Sequence, residues 1–341
     1  MQVEQGPRAS IIIVNWNGLR WLRQLLPSLQ DQSFRDFEIV VVDNGSSDGS
    51  LEFLRQAHPE VLTVPLKENA GFAAGSNAGI RASRGKYVVL LNNDTRPERG
   101  WLGELVRPAE ADDSVGMCAP LILDADREDR LDSAGIAVSW DGFSRQMRHG
   151  EPAPDDLPAQ ECLAPSGCSG LYRREMLDQI GLLDEDFFCY CEDTDLGLRG
   201  RFAGWKCVLS PGARVRHYYS QSGGRALAKK IFWVERNHYY VAIKNYPWFL
   251  VLLLPLTSLR RLAAQLFATL HGRASGKVLR GDLSVAGALR AFAGAYLSLL
   301  VQLPRMFLKR RRVQSTRKLS ARQCYRLIRE YQVNVSDMAF N

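Results

Sequence analysis

Four short apolar runs, SIIIVN (10–15), FEIVVVD (37–43), VLTVP (61–65) and KYVVLLN (86–92), recur along the chain. Helix-length segments separate them, LRWLRQLLPSLQDQ (19–32), SLEFLRQAH (50–58) and AGFAAGSNAGIRAS (70–83). A β-branched run without polar alternation suits a strand buried on both faces, and strands of that kind spaced by helices form parallel sheets. The fold predicted is α/β, a doubly wound sheet flanked by helices. In such sheets ligands bind beyond the carboxyl ends of the strands. The polar residues that end the runs are therefore the first site candidates: Asn15 and Asn17, Asp43 and Asn44, and Asn92, Asn93 and Asp94.

At 341 residues the chain is longer than one catalytic-sized domain, and its character changes past residue 230. We divide it into a catalytic domain, 1–230, and a C-terminal helical region, 231–341. Residues 124–165 are polar and Pro-rich and predict excursions or hairpins over one side of a cleft. A strand, a Gly-rich turn and a short helix are expected in APSGCSGLYRREMLDQIGLLDEDFF (164–188), and a strand in KCVLSPGARVRHYYS (206–220).

Charge divides in the same way. Residues 246–320 hold thirteen Lys/Arg against the single acid Asp282, and 321–341 hold three against two, which leaves the first 245 residues at −6 of a chain total of +7. That balance argues against a nucleic-acid partner for the catalytic domain. YPWFLVLLLPLTSL (246–259) and AFAGAYLSLLVQLP (291–304) are apolar runs of fourteen residues flanked by Arg260, Arg261, Arg290, Arg305 and the cluster KRRR at 309–312. A spanning helix needs about twenty apolar residues, so helices lying on an anionic membrane surface fit better, with a hairpin packed on the catalytic domain as the alternative. The seven cysteines are odd in number, dispersed and without a CxxC pair, as expected of reduced thiols in the cytosol. The apolar run near the N-terminus is four residues, too short for a signal peptide, so export by that route is not expected.

Three stretches carry the chemistry. Asp43 closes its strand before the turn NGSSDGS, where a carboxylate can accept hydrogen bonds from a base N–H or a ribose hydroxyl, or can cap its own turn. NAGFAAGSNAG (69–79) spaces glycines as close approach to a ligand requires and opens a helix whose N–H groups favour a diphosphate. Tight packing of helix on sheet would demand the same glycines. Asn69, Gly71 and Asn77 are the binding candidates there. In LLNNDT (90–95) Asp94 lies just past a buried strand, and beside a diphosphate it would need a divalent cation, Mg²⁺ or Mn²⁺, to offset repulsion. His217 in RVRHYY, ending a predicted strand, is the best placed of five histidines to be a second ligand.

SIIIVNWNG, VVDNGSSDGS, NAGFAAGSNAG, LLNNDT, SGLYRREML and FFCYCEDTDLGLR, in this order over residues 8 to about 220, resemble the family 2 glycosyltransferases of the GT-A fold, particularly their bacterial rhamnosyltransferase-like branch. The resemblance implies inverting transfer of a sugar, rhamnose or another deoxyhexose, from a dTDP- or UDP-sugar to a hydroxyl of a lipid-linked or cell-surface glycan. It implies a nucleotide-sugar-binding mixed sheet with Asn15, Asp43, Asn69, Gly71, Asn77, Asn92 and Asp94 on the donor side. By this likeness Asp43 contacts the base, Asn92 and Asp94 occupy the Asp-x-Asp metal position, His217 is the distal metal ligand and Asp193 is the catalytic base. Asn92 departs from the pattern, which leaves the metal site less negative. Ser169, Tyr190, Glu192 and Trp205 are acceptor-side candidates.

Inverting transfer explains the density of acids in DEDFFCYCEDTD (184–195). One carboxylate must take the proton of the attacking hydroxyl. Glu192, Asp193 and Asp195 start a helical pattern, and its positive end is expected to keep the base ionised, while Phe187, Phe188 and Tyr190 shed water and receive a sugar face. Asp195 can equally pair with Arg199 or Arg201. A protein at the inner face of the plasma membrane, reaching a membrane-anchored acceptor, would use the basic apolar tail. The alternatives are an inactive glycan- or nucleotide-sugar-binding protein and a nucleotidyltransferase, although the turn near residue 15 lacks the lysine expected of the latter.

Overall fold

The computed structural model describes residues 6–154, 156–218, 224–270 and 284–333. The expected elements form in order: β1 (Ala9–Asn15), α1 (Leu19–Gln30), β2 (Phe37–Asp43), α2 (Ser50–Ala57), β3 (Leu62–Pro65), α3 (Gly71–Ala82) and β4 (Tyr87–Leu91). There follow β5 (Thr95–Pro97), α4 (Trp101–Ala111), β6 (Val115–Asp124), β7 (Leu131–Ser133), the small hairpin β8 (Ile136–Val138) and β9 (Ser144–Gln146), β10 (Gln160–Glu161), β11 (Ser169–Arg173), α5 (Arg174–Ile180), α6 (Glu192–Phe202) and β12 (Lys206–His217). Residues 219 and 220 of the strand expected at 206–220 lie outside the described residues.

The main path of the sheet is β10–β12–β6–β11–β4–β1–β2–β3, with β5 attached to β12 and β7 to β6. β1 is parallel to β2 and β4, whereas β11 runs antiparallel to both β4 and β6, so the sheet is mixed. Two registers matter for a site. Asn15 pairs with Asp43, which sets the carboxyl ends of β1 and β2 side by side. His217 pairs with Thr95, which brings the end of β12 to the residue after Asp94.

Apolar side chains of α1, α2 and α4 cover one face, among them Leu22, Leu25, Leu54, Trp101 and Leu105. The other face is covered from α3, α5 and α6 by Ala73, Ile80, Met176, Leu177 and Leu196. Each fully buried Leu or Ile contributes about 1.5–3 kcal/mol.

The C-terminal region is helical: α7 (Gly224–Asn245), α8 (Trp248–Leu252), α9 (Leu254–Leu270), α10 (Val285–Thr316) and α11 (Ala321–Glu330). Helix α7 runs through residues 230 and 231, so the division drawn there falls inside one helix. These helices share an apolar cluster with the sheet layer, in which Phe187, Leu198 and Phe202 meet Tyr240, Val241, Tyr246, Met306 and Ile328. The run 291–304 lies inside a helix of 32 residues, a length the apolar run alone did not indicate. Among the described residues one helix, 286–316, is long and apolar enough to cross a membrane by length and composition, and only 22% of its apolar window is buried. Its second half is tied to the protein by side chains, Arg310 donating to the carbonyl of Ile243 at 2.6 Å and Arg305 pairing with Asp186 at 2.7 Å, although Leu308 there stays exposed. Up to its midpoint the helix leaves Leu289, Leu297, Leu300 and Val301 exposed, and Leu252, Leu256 and Leu259 of α8 and α9 are exposed as well.

Candidate functional site

His217 Nε2 lies 3.4 Å from Asp94 Oδ1, and its Nδ1 lies 2.8 Å from Asp132 Oδ2. The pairing of β12 with β5 creates the first contact, and β7, which carries Asp132, creates the second. Burial alone would lower the imidazolium pKa, but Cys168, Asp132 and Asp94 together push it well above the usual histidine value. Two carboxylates facing one imidazole in a buried setting favour a cation there. Among the described residues no group of three or more His, Cys, Asp and Glu side chains forms a metal cage. The donor set that Asp94 and His217 offer, one carboxylate and one imidazole oriented by a second carboxylate, suits a divalent ion completed by substrate phosphates.

At the ends of β1 and β2 the polar residues converge. Asp43 is 2% exposed; its Oδ2 accepts the Ser46 N–H at 3.2 Å, while its Oδ1 is buried without a hydrogen-bond partner. It therefore caps its turn and still has an acceptor to offer, a combination that a base N–H or ribose hydroxyl would complete. Asn15 accepts from the Asn93 amide at 2.8 Å. Asn92 is bound through its backbone, its N–H donating to the Cys168 carbonyl at 2.8 Å and its own carbonyl accepting from the Thr95 hydroxyl at 2.6 Å.

The glycine-rich segment is explained by packing. A Cβ on Gly79 would lie 2.4 Å from Ile12, and Gly71, at φ 89°, would place one 2.5 Å from the Phe188 carbonyl oxygen. The start of α3 is also closed to a diphosphate, which corrects the expectation for this helix. The N–H groups of Ala70, Gly71 and Ala73 donate to Asn44 Oδ1, Asn69 Oδ1 and the Phe188 carbonyl at 2.9, 2.9 and 3.2 Å. Asn69 thus caps its own helix. Asn77 is corrected as well: its Nδ2 donates to the Leu183 carbonyl at 2.9 Å and to Glu185 at 2.8 Å, and its Oδ1 accepts the Leu183 N–H at 3.1 Å, which ties α3 to the loop before α6.

That loop, 181–191, delivers the acids. Asp193 is half-buried in the first turn of α6; its Oδ2 accepts the Gly167 N–H at 2.7 Å and its Oδ1 the Thr194 N–H at 2.6 Å. Burial raises its pKa and these N–H donors act against the rise, with a net shift upward. The helix end therefore does not by itself fix the charge state, and the carboxylate that results is a stronger proton acceptor than a solvated one. Glu192 is 4% exposed with Oε2 unpartnered, and burial together with the Asp193 charge pushes it up to about 8. Asp195 is structural, bound to Arg199 at 2.9 Å, Lys244 at 2.8 Å and Asn245 at 2.8 Å.

A short backbone path joins Asp193 to Asp94. Gly167 holds Asp193, the next residue Cys168 accepts from Asn92, and Asp94 follows two residues later. Sequence reasoning did not single out Gly167 or Asp132; both sit in polar loop or excursion sequence where spacing carries no signal. Of the acceptor candidates, Ser169 is buried beside Leu91 with an unpartnered hydroxyl. Tyr190 is half-buried near Trp233, with ring centroids 6.4 Å apart. Two expectations fail. Phe187 is fully buried against Tyr240 and cannot receive a sugar. Trp205 lies between α6 and the start of β12, at the strand end opposite His217, and donates to Gln179 at 2.7 Å.

The profile described as "Glycosyl transferase family 2" matches residues 10–181. The chain is 28% identical over 268 residues to the N-acetylglucosaminyl-diphospho-decaprenol L-rhamnosyltransferase of Mycobacterium tuberculosis, covering 70% of this chain and 85% of that one. It is 26% identical over 258 residues to the O-antigen biosynthesis protein RfbC of Myxococcus xanthus, covering 72% of this chain and 20% of the other. Among solved structures, the mannosyltransferase PcManGT from Pyrobaculum calidifontis in complex with GDP-Man and Mn²⁺ superposes with a TM-score of 0.51 at 18% identity over 92% of this chain and 86% of its own. GalNAc-T7 with UDP, GalNAc and Mn²⁺ gives 0.53 at 20% identity over 71% and 51%. The mixed sheet flanked by helices is that of these GT-A neighbours. By the match over half of its length, this chain is a glycosyltransferase and belongs to glycosyl transferase family 2.

Proposed function

We propose that the protein transfers a deoxyhexose such as rhamnose, with inversion, from a dTDP- or UDP-sugar to a hydroxyl of a lipid-linked or cell-surface glycan. The observation that supports this reading is a backbone link: Gly167, which holds Asp193, is followed by Cys168, whose carbonyl accepts from Asn92, two residues before Asp94 of the Asp94–His217 pair. The M. tuberculosis relative supports the sugar class and the lipid-linked acceptor.

In the step proposed, the acceptor oxygen attacks the anomeric carbon while its proton passes to an Asp193 carboxylate oxygen, and the bond from that carbon to the nucleoside diphosphate breaks. The Gly167 and Thr194 N–H groups orient the carboxylate. Asp43 Oδ1 takes a hydrogen bond from base or ribose. Asp94 and His217 would hold Mg²⁺ or Mn²⁺, which when bound neutralises the charge of the departing diphosphate. The Mn²⁺ in both neighbouring complexes supports that ion. The exposed apolar half of α10, flanked by basic residues, would rest on the anionic inner face of the plasma membrane, where an anchored acceptor is concentrated.

The test is a panel of nucleotide-sugars with Mn²⁺ or Mg²⁺, read as melting temperature and nucleotide release. A donor that binds raises the melting temperature by mass action. A response to a dTDP- or UDP-deoxyhexose is expected; a response confined to GDP- or CMP-sugars overturns the donor assignment.

A further inference from the structure

The turn that delivers Asp193 has positive φ at three residues that bear side chains, Phe188 (63°), Tyr190 (73°) and Cys191 (67°). Such a backbone persists only where its surroundings determine it. Besides the Ala73 N–H, which holds the Phe188 carbonyl, one buried amide binds three carbonyls of this turn. Asn237, in the middle of α7 and fully buried, donates from Nδ2 to the carbonyls of Phe187 at 2.9 Å, Cys189 at 2.9 Å and Tyr190 at 2.8 Å. Its Oδ1 accepts from Arg236 Nε at 2.9 Å, which fixes which edge of the amide faces the loop. The Arg236 guanidinium in turn reaches the carbonyls of Asp186 at 2.9 Å and Phe187 at 3.2 Å.

Three carbonyls converging on Asn237 Nδ2 share its two hydrogens, one of them bifurcated, whereas an apolar side chain would offer none. Packing alone would not select this residue. The clamp also lies outside the donor end of the sheet, since the hydrogen bonds of Asn237 go to the 187–190 turn and to Arg236, whereas Asp43 and Asn15 end β1 and β2.

We propose that Asn237 is a positioning residue for sugar transfer, holding the 187–191 turn so that Asp193, two residues further on, meets the acceptor hydroxyl. The proposal rests on the assignment of Asp193 as base given above. A displacement of about 1 Å at a reacting group can cost on the order of a hundredfold in rate. The side chain acts through Asp193, so its loss is expected to appear in kcat and not in nucleotide binding.

The experiment uses the full chain with Mn²⁺, measuring nucleotide release from dTDP-rhamnose, or from the UDP-sugar the panel selects, and the melting-temperature rise given by dTDP or UDP. Asn237→Ala is expected to lower kcat by about thirtyfold to a hundredfold, with the donor KM and the nucleotide-induced rise within about twofold of wild type. Arg236→Lys, a milder change that loosens the amide, is expected to show the same split with a kcat loss of about tenfold. A kcat within threefold of wild type in both variants, or a loss matched by equal loss of nucleotide binding, overturns the proposal. Asp193→Asn is assayed alongside. If it keeps the wild-type rate, the base assignment fails; if it is inactive while Asn237→Ala keeps its kcat, only the present inference fails.

Discussion

Gly167 donates its backbone N–H to Asp193 Oδ2 at 2.7 Å, and a Cβ built on Gly167 would lie 3.1 Å from that same oxygen. The glycine thus binds the carboxylate and, lacking a Cβ, leaves the space that the carboxylate occupies. Its φ is not in the left-handed region, so alanine is tolerated by the backbone.

Gly167→Ala is therefore expected to displace the Asp193 carboxylate by a few tenths of an ångström and to lower kcat by about tenfold. The melting temperature should stay within a few degrees of wild type. Steady-state kinetics with a circular dichroism melt reads both; an unchanged kcat would show that the contact does not set the position of the base.

Asp132 holds His217 Nδ1 and thereby presents Nε2 toward Asp94. Removing such an outer partner of a metal-ligating histidine usually costs about tenfold to a hundredfold in metal affinity. Asp132→Asn is expected to raise the Mn²⁺ concentration for half-maximal activity by that factor, with rates at saturating Mn²⁺ closer to wild type. Metal titration of activity checks it.

Burial and the neighbouring Asp193 charge push Glu192 up to about 8 in the folded protein, against 4.5 for the unperturbed group. A raised folded pKa means that the native state binds more protons than the unfolded chain between these values, so stability falls as pH rises through that window. Glu192→Gln removes the burden of an unpartnered buried carboxylate. Variant and wild type should melt together at about pH 4, below both values, and the variant should melt higher at about pH 8.5. Parallel curves across the range would contradict the assignment.

Leu297, Leu300 and Val301 are 65%, 63% and 70% exposed on the first half of α10, more than packing on the protein explains. Burial of apolar area at about 25 cal/mol per Å² would make these side chains contribute to membrane binding. Their joint replacement by Ser is expected to weaken sedimentation with anionic vesicles by about tenfold or more. Equal sedimentation would contradict a membrane contact through these residues.

The sheet was legible because β1, β2 and β4 carry apolar runs of at least four residues, IIIV, IVVV and YVVLL, that are mostly buried. Strand β6 carried less signal, since Gly116 and Pro120 interrupt a run that burial on both faces nonetheless makes a strand. Asp43, Asp94, His217 and Asp193 stand at the ends of elements, where position draws attention to them, but the roles expected of His217 and Asp193 came from the family resemblance. Asn77 misled because a glycine-rich helix start reads the same whether it faces a ligand or a neighbouring loop; only the Leu183 and Glu185 partners distinguish the two. Trp205 misled because an aromatic near an acidic cluster in sequence can lie at the far end of an intervening helix. Asn237 was invisible for a further reason: its partners are backbone carbonyls nearly fifty residues away, and no spacing rule encodes them.

The most direct measurement is the transfer rate of Asp193→Asn at saturating donor and metal. The amide keeps the shape and can still accept the Gly167 N–H, but it cannot take a proton. Loss of a general base lowers rates by about 10²–10⁴-fold, and a loss of that size is expected with the nucleotide-induced melting rise preserved. Transfer at the wild-type rate would contradict the account.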